Sequence, residues 1–452
     1  MTGKKLPKFL RGTLVFYAMA SLISMAPMNL SFLLVLVSWF AALFSSSRTL
    51  ITQYPLSPEF KSYRYWGLAL LFTCWGSLVV TKFFPYAYAG HDPEVTLHGL
   101  LKIWYLLIPA VLATAFEIAI EAGSDCENFS LVTMIKPWWW VTIALCIVAI
   151  IQYFTGWPEA EQIPDSVARF HANLFFGHHL STSSILIFPT FTALAIALGA
   201  MSRKKYSSLI STRFALIVGV AGLIILFLSY ARTAWLALVI GIFLLIKKYL
   251  VPHLTRKQWI IGSLLVILSA GAASQLPIIN ARIQSLYGIN ERTRLWKANI
   301  DFFTHRPLTG IGWLKTQEMS EFYFKQIDPE NYKGYFWGHA HSNFFEMLGG
   351  TGLLGLLAFL GWSFFTLRLA HRLTTRFELR ALSSGNLNQN RDFFYSDFSR
   401  GLFVALILLH FNGLTNVTFW EGKVMHQQML AVGMLLILDR VFERKKASVT
   451  NL

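Results

Sequence analysis

The chain has 452 residues, of which 55% are hydrophobic and 15% aromatic against 14% charged, with a mean hydropathy of +0.50 and a formal net charge of +16. That apolar share exceeds the norm for soluble domains, and apolar stretches of roughly 17 to 25 residues, enough to cross about 30 Å of hydrocarbon as a helix, recur from end to end. The composition excludes a soluble enzyme, leaves no room for a separate soluble domain of ordinary size, and predicts an all-α polytopic membrane protein that forms one domain over residues 1–452.

At the N-terminus "KKLPKFLRG" runs into an apolar stretch with no small-residue cleavage site, so the first helix is expected to stay as an anchor. The sequence then predicts about twelve spans, near residues 12–28, 29–45, 66–83, 98–117, 137–154, 178–200, 213–229, 234–250, 259–275, 344–367, 401–418 and 426–439. Cys74, Cys126 and Cys146 fall in or near these spans without CxxC spacing, which argues for packing residues and against a disulfide framework or zinc site.

An even number of spans puts both termini on one side. "MTGKKLPKFLR", "SRKKYSSLISTR", "KKYLVPHLTRK", "RLAHRLTTRFELR" and "DRVFERKK" are strongly basic, which makes that side cytoplasmic. Most of the positive charge lies in these turns, where it fixes orientation and attracts anionic membrane lipids. It is dispersed, without a nucleic-acid-binding fold, so nucleic acid is not an expected partner.

Two connections on the opposite, outward side are long: 155–179 and 276–341. The second, an insertion between predicted helices 9 and 10 that we delimit as 276–343, contains "ERTRLWKANIDFFTHRP", which reads as short surface helices. It carries eight Lys/Arg against six Asp/Glu. That excess fits either a solvated amphipathic loop or a site for an anionic ligand at the membrane surface.

Several side chains carry possible chemistry. Arg232 in "SYARTAW" is the only charge between Arg213 and Lys247; it either lines a hydrated site or snorkels from an outward turn. Arg292 and Arg294 lie two apart, so on a helix only one faces a given site, while Arg292 and Trp296 share a face at i and i+4. An indole beside that guanidinium would leave its fork free for phosphate oxygens, or the two form a structural cation–π pair. His339 and His341 precede the tenth predicted span; a histidine at a helix mouth can act as a general base or anchor the interface, and no HExxH or other metal spacing follows. In the other outward segment, Arg169, His171, His178 and His179 could extend such a cluster.

"GTGLLG" at 350–355 matches GxGxxG, but it sits in an apolar helix with no preceding strand, so a dinucleotide site is rejected. Close helix–helix approach is the expected use of these small residues. The sequons at Asn128 and Asn416 are short enough to arise by chance.

Together "SYARTAW", "ERTRLWKANIDFFTHRPLTGIGW" and "HSNFFEMLGGTGLLG" resemble the bacterial O-antigen ligase and O-antigen polymerase superfamily in order and spacing, and the hydrophobic frame resembles it over nearly the whole chain. The last block fits the ligase pattern H-[N/S/Q]-x9-G-x2-[G/T/Y], with His341, Ser342, Gly352 and Gly355 in the fixed positions. The resemblance implies a GT-C-like, inverting, metal-independent and cofactor-free glycosyltransferase of the inner membrane with a periplasmic active site, closest to O-antigen ligase. Its donor would be a glycan on undecaprenyl diphosphate and its acceptor a hydroxyl of lipid A core, in lipopolysaccharide biosynthesis. By the family pattern His341 would activate the acceptor, and Arg232, Arg292 and, more loosely, Arg169 would hold the diphosphate. His339, Arg294, Trp296 and Asn343 would support the site or bind acceptor. The alternatives are an O-antigen polymerase joining lipid-linked repeat units and, in a different class, a transporter or flippase for lipid-linked glycans. The absence of an evident internal repeat and the gathering of polar residues at one face favour the transferase.

Overall fold

The computed structural model describes residues 5–44, 57–84, 102–121, 129–163, 169–203, 209–253, 289–326, 329–331, 338–383 and 386–450, with a few isolated positions between 255 and 275. Most of the expected span at 259–275, and Cys126, lie outside the described residues. The described chain is all-helical, apart from one isolated antiparallel bridge between Gln162 and Phe170.

In chain order the helices are α1 (Lys5–Ala20), α2 (Met25–Phe44), α3 (Pro58–Phe83), α4 (Ile108–Glu121, entered through the 3-10 turn Lys102–Leu107), α5 (Leu131–Thr155), α6 (His179–Ser202), α7 (Thr212–Leu228) and α8 (Arg232–Tyr249). Then come α9 (Ile289–His305), α10 (Thr316–Gln326), α11 (Asn343–Ser383), α12 (Asn386–Asn412) and α13 (Gly422–Thr450). Seven stretches among the described residues are long and apolar enough to cross a membrane: Met25–Phe44, Pro58–Phe83, Lys102–Ile120, Leu131–Thr155, His179–Ser202, Asn343–Ser383 and Asn388–Asn412. The apolar helix Thr212–Leu228 is shorter.

Composition explains which helices lie inside. α6 is apolar or small all round, as expected of a helix without a solvent face, and nearly every residue from Leu180 to Ala200 is buried against α7, α8, α12 and α13. The outer helices instead expose large apolar side chains. Leu33, Val37 and Phe40 on α2, Phe72 and Val79 on α3, and Val239 and Phe243 on α8 are examples. A surface of that kind is suited to lipid. The buried centre and apolar rim leave the helix ends as the places where polar side chains gather.

Candidate active site

Segment 155–178 is pinned by a side chain of α5. Gln152 Oε1 accepts from Leu174 N at 2.7 Å while Gln152 Nε2 faces Leu174 O at 3.4 Å, imitating a strand pairing. Ala172 N then donates to Leu228 O at 3.0 Å, and His171 Nδ1 lies 3.0 Å from Ser229 O, fastening the segment to the turn between α7 and α8. Tyr230 in that turn has φ 58°, a left-handed conformation uncommon without glycine, and the reversal makes Arg232 the first residue of α8. The imidazoles of His171 and His179 stack at 4.2 Å and those of His179 and His178 at 4.5 Å. His178 caps α6 by accepting from Leu180 N at 3.3 Å.

The segment from 289 to 331 has a small apolar core of its own, built from Leu295, Ala298 and Phe302 of α9, Ile311 of the following turn, and Met319 and Phe324 of α10. It is clamped to α11 through the backbone. Ile311 N and Gly312 N donate to the carbonyls of Gly349 and Gly350 at 3.0 and 2.9 Å, and Leu353 N donates back to Pro307 O at 2.8 Å. The clamp interrupts α11 at Gly352, whose φ 66° and ψ −164° belong to a region essentially reserved for glycine. A Cβ on Gly352 would lie 2.4 Å from the backbone of Leu308, and one on Gly310 2.4 Å from that of Gly350. The expectation that "GTGLLG" serves helix–helix approach is therefore corrected: Gly352 receives an extramembrane loop.

This clamp sets α9 beside the turn that precedes α11. In that turn His341 takes φ 47°, and its N–H donates to His339 Nδ1 at 3.3 Å. The two rings meet edge to face, 4.3 Å between centroids. Because His339 Nδ1 accepts, a neutral His339 carries its proton on Nε2. His341 Nδ1 is buried and has no hydrogen-bond partner among the described residues, a condition it shares with other buried side chains such as His410.

Cations surround these rings. Arg292 is within electrostatic reach of Arg232, His178, His339 and His341, and Lys102, at the mouth of α4, is within reach of His339, Glu346 and Glu421. Burial first, then the neighbouring His178, Lys102 and Arg292, pushes His339 down to about 4. Burial with His339, Arg292 and His178 holds His341 far below the ordinary histidine range. His178 is lowered by burial, opposed by Glu161. Both His339 and His341 are thus neutral near pH 7, beside Arg292, which has Glu291 as well as Arg232 within reach.

Residues 217–360, which run from α7 through the clamp into α11, match a model of the O-antigen ligase family. That stretch is similar to the O-antigen ligase family. Among curated proteins none matches the chain.

The matched stretch holds Arg232, Arg292, Arg294, Trp296, His339, His341 and Asn343, all singled out in the sequence. The structure sets Arg292 within electrostatic reach of Arg232 and of His339 and His341. Trp296 joins them differently from the expected pairing: no cation–π contact links it to Arg292. Its indole stacks on Phe345 at 4.9 Å and donates to Ala340 O at 2.8 Å. Arg294 is half-buried and makes no ion pair or hydrogen bond among the described residues. Asn343 is engaged as a brace, its Oδ1 accepting from Thr418 N and Phe419 N at 2.8 and 3.1 Å and its Nδ2 donating to Thr418 Oγ1 at 2.8 Å. Arg169, outside the matched stretch, rests its guanidinium over Phe154 at 4.9 Å and Tyr153 at 5.8 Å.

Sequence reasoning passed over Lys102, Glu346 and Glu421, which the fold draws to the same place. Glu421 accepts from Ser181 Oγ, and burial raises its carboxyl against the opposing effect of Ser181, Lys423 and Lys102. The available signal was a lone charge at the edge of each apolar span. Among the described residues no group of three or more His, Cys, Asp or Glu side chains is arranged to hold a metal ion.

Proposed function

We propose that this protein transfers a glycan from undecaprenyl diphosphate to an acceptor hydroxyl at the periplasmic face of the inner membrane, as an O-antigen ligase acting on lipid A core. The observation that carries the reading is the position of Arg292, within electrostatic reach both of Arg232, some sixty residues away in sequence, and of the buried imidazole of His341, in the stretch that matches the O-antigen ligase family. Two guanidiniums set near one another repel unless an anion lies between them, and a diphosphate is such an anion.

In the proposed reaction the acceptor oxygen attacks the anomeric carbon, His341 takes the hydroxyl proton, and the bond from that carbon to the diphosphate oxygen breaks. The sugar inverts and undecaprenyl diphosphate leaves. Arg232 and Arg292 meet the negative charge that develops on the leaving oxygen, so the reading needs neither metal nor cofactor. An arginine fork suits this task better than a lysine ammonium, because two parallel N–H groups can hold two phosphate oxygens. Donor binding also arms the base: two negative charges beside His341 oppose the burial and the cations that depress its proton affinity. The basic connections place both termini in the cytoplasm, and we read the whole as a GT-C-like bundle of about twelve spans. Arg169 would flank the donor from the 155–178 segment.

The test is transfer by purified protein in detergent with EDTA present, supplied with undecaprenyl-diphosphate glycan and lipid A core. Product from wild type and none from folded His341→Ala is the expected result. Product only when a second lipid-linked repeat replaces lipid A core would reassign the protein as a polymerase, and no transfer to either acceptor, with counterflow of labelled donor across vesicles, would make it a transporter.

A further inference from the structure

The His339–His341 turn has to be held in a conformation it does not favour. His341 is not glycine, yet it adopts φ 47°, a region that costs an ordinary residue free energy unless its surroundings over-determine it. Its neighbour Ala340 is completely buried, so the backbone polar groups there need partners from within the protein. Ala340 O receives the Trp296 indole N–H at 2.8 Å. Ala340 N donates to Glu346 Oε2, also at 2.8 Å.

Glu346 is itself 4% exposed, and both of its oxygens are engaged. Oε1 accepts from Thr316 Oγ1 at the start of α10, and Oε2 accepts from Ala340 N. Lys102 lies within electrostatic reach and supplies a counter-charge to a carboxylate that burial would otherwise disfavour. One side chain thus ties three pieces together: the first turn of α11, the beginning of α10, and the peptide between the two histidines. Glu346 holds the peptide that enters Ala340 and Trp296 the peptide that leaves it, so together they fix both peptide planes of Ala340 and hence the direction in which His341 departs.

We infer that Glu346 is the positioning residue of the histidine turn, setting the orientation of the His341 imidazole through its hydrogen bond to Ala340 N. This rests on the reading of His341 as the base, and it makes a claim that reading does not: a carboxylate that takes no proton from substrate still governs turnover. The chemistry separates the two roles cleanly. In Glu346→Gln the amide oxygen can accept from Ala340 N while the amide nitrogen donates to Thr316 Oγ1, whose hydroxyl can rotate to accept. Both ties survive without the charge. In Glu346→Leu the shape is similar and neither tie survives.

The experiment measures glycan transfer and, on the same purified proteins in detergent, amide hydrogen exchange over residues 338–345. Expected are transfer by Glu346→Gln within about 3-fold of wild type, loss on the order of 100-fold in kcat with little change in donor KM for Glu346→Leu, and exchange at the Ala340 amide that stays slow in wild type and Glu346→Gln but accelerates in Glu346→Leu. Thr316→Val should fall between them. Equal inactivity of Gln and Leu with Ala340 protected in Gln would overturn the inference and make Glu346 a proton-transferring group, and full activity of Leu would overturn it outright. Should wild type transfer no glycan, the proposed function fails, yet the exchange pattern still decides whether Glu346 holds the turn.

Discussion

The same helices carry charge at both ends and treat it in opposite ways. At the end away from the histidines, several arginines are held by carboxylates in close pairs. Asp397 on α12, fully buried, accepts both N–H groups of the Arg203 fork at 2.8 and 3.0 Å and the Tyr249 hydroxyl at 2.7 Å. Asp392 holds Arg380 in the same bidentate fashion at 2.7 and 2.9 Å, and Glu378 joins Lys248 to Arg400. At the histidine end Arg292 lies near Arg232, His178 and two neutral imidazoles with Glu291 beside it, and Lys102 lies near His339, Glu346 and Glu421. Close bidentate pairs mark the structural end, and clustered cations beside neutral imidazoles mark the end suited to an anion.

The contrast can be broken most severely at His341. His341→Ala should lower kcat by about 10³-fold or more, the range of a lost general base, with unchanged thermal unfolding in detergent; normal turnover would remove the histidine end from the chemistry. Arg292→Ala should cost on the order of 10²-fold in kcat/KM for the donor, with Arg292→Lys recovering only part because one ammonium does not replace a fork. A variant at the other end should do the reverse. Asp397→Ala removes the buried acceptor shared by half-buried Arg203 and the Tyr249 hydroxyl and should cost about 3 kcal/mol of stability, seen as a lower unfolding temperature, while donor KM of the folded fraction stays the same.

The mildest test is pH. An imidazole titrating at 6.5 would lose about tenfold in its basic form between pH 7.5 and 5.5. With His339 pushed down to about 4 and His341 lower still, the basic form persists, so kcat/KM should fall by less than about 2-fold over that interval. Because bound diphosphate raises the His341 proton affinity, the acid limb of kcat should sit at higher pH than that of kcat/KM. Coincident limbs near 6.5 would show that burial does not govern the base.

Legibility in the sequence followed the range of the forces involved. Helices came through because apolar length is a local property: the expected spans near 29–45, 137–154 and 178–200 overlap α2, α5 and α6. Arg232, Arg292 and His341 stood out because a lone charge or a helix-mouth histidine is conspicuous in apolar surroundings. Glu346 and Lys102 did not, since each becomes meaningful only when the fold sets it against a partner more than twenty residues distant. Trp296 was misjudged for a related reason. Helical spacing put it beside Arg292, but a buried indole N–H seeks an acceptor, and the Ala340 carbonyl supplied one from another segment. The Gly352 misreading is the clearest case: helical periodicity says nothing of a loop that returns across it.

The backbone clamp at Gly352 turns sequence distance into a matter of register. Arg292 reaches the site through α9 and the 307–312 turn, and His341 stands only a few residues before the strands of that same clamp. α10, between them, adds a third tie, through Thr316 to Glu346 and through Met319 and Phe324 to the core of α9. One residue added between 305 and 312 would slide the arginine past the histidine while leaving every helix intact.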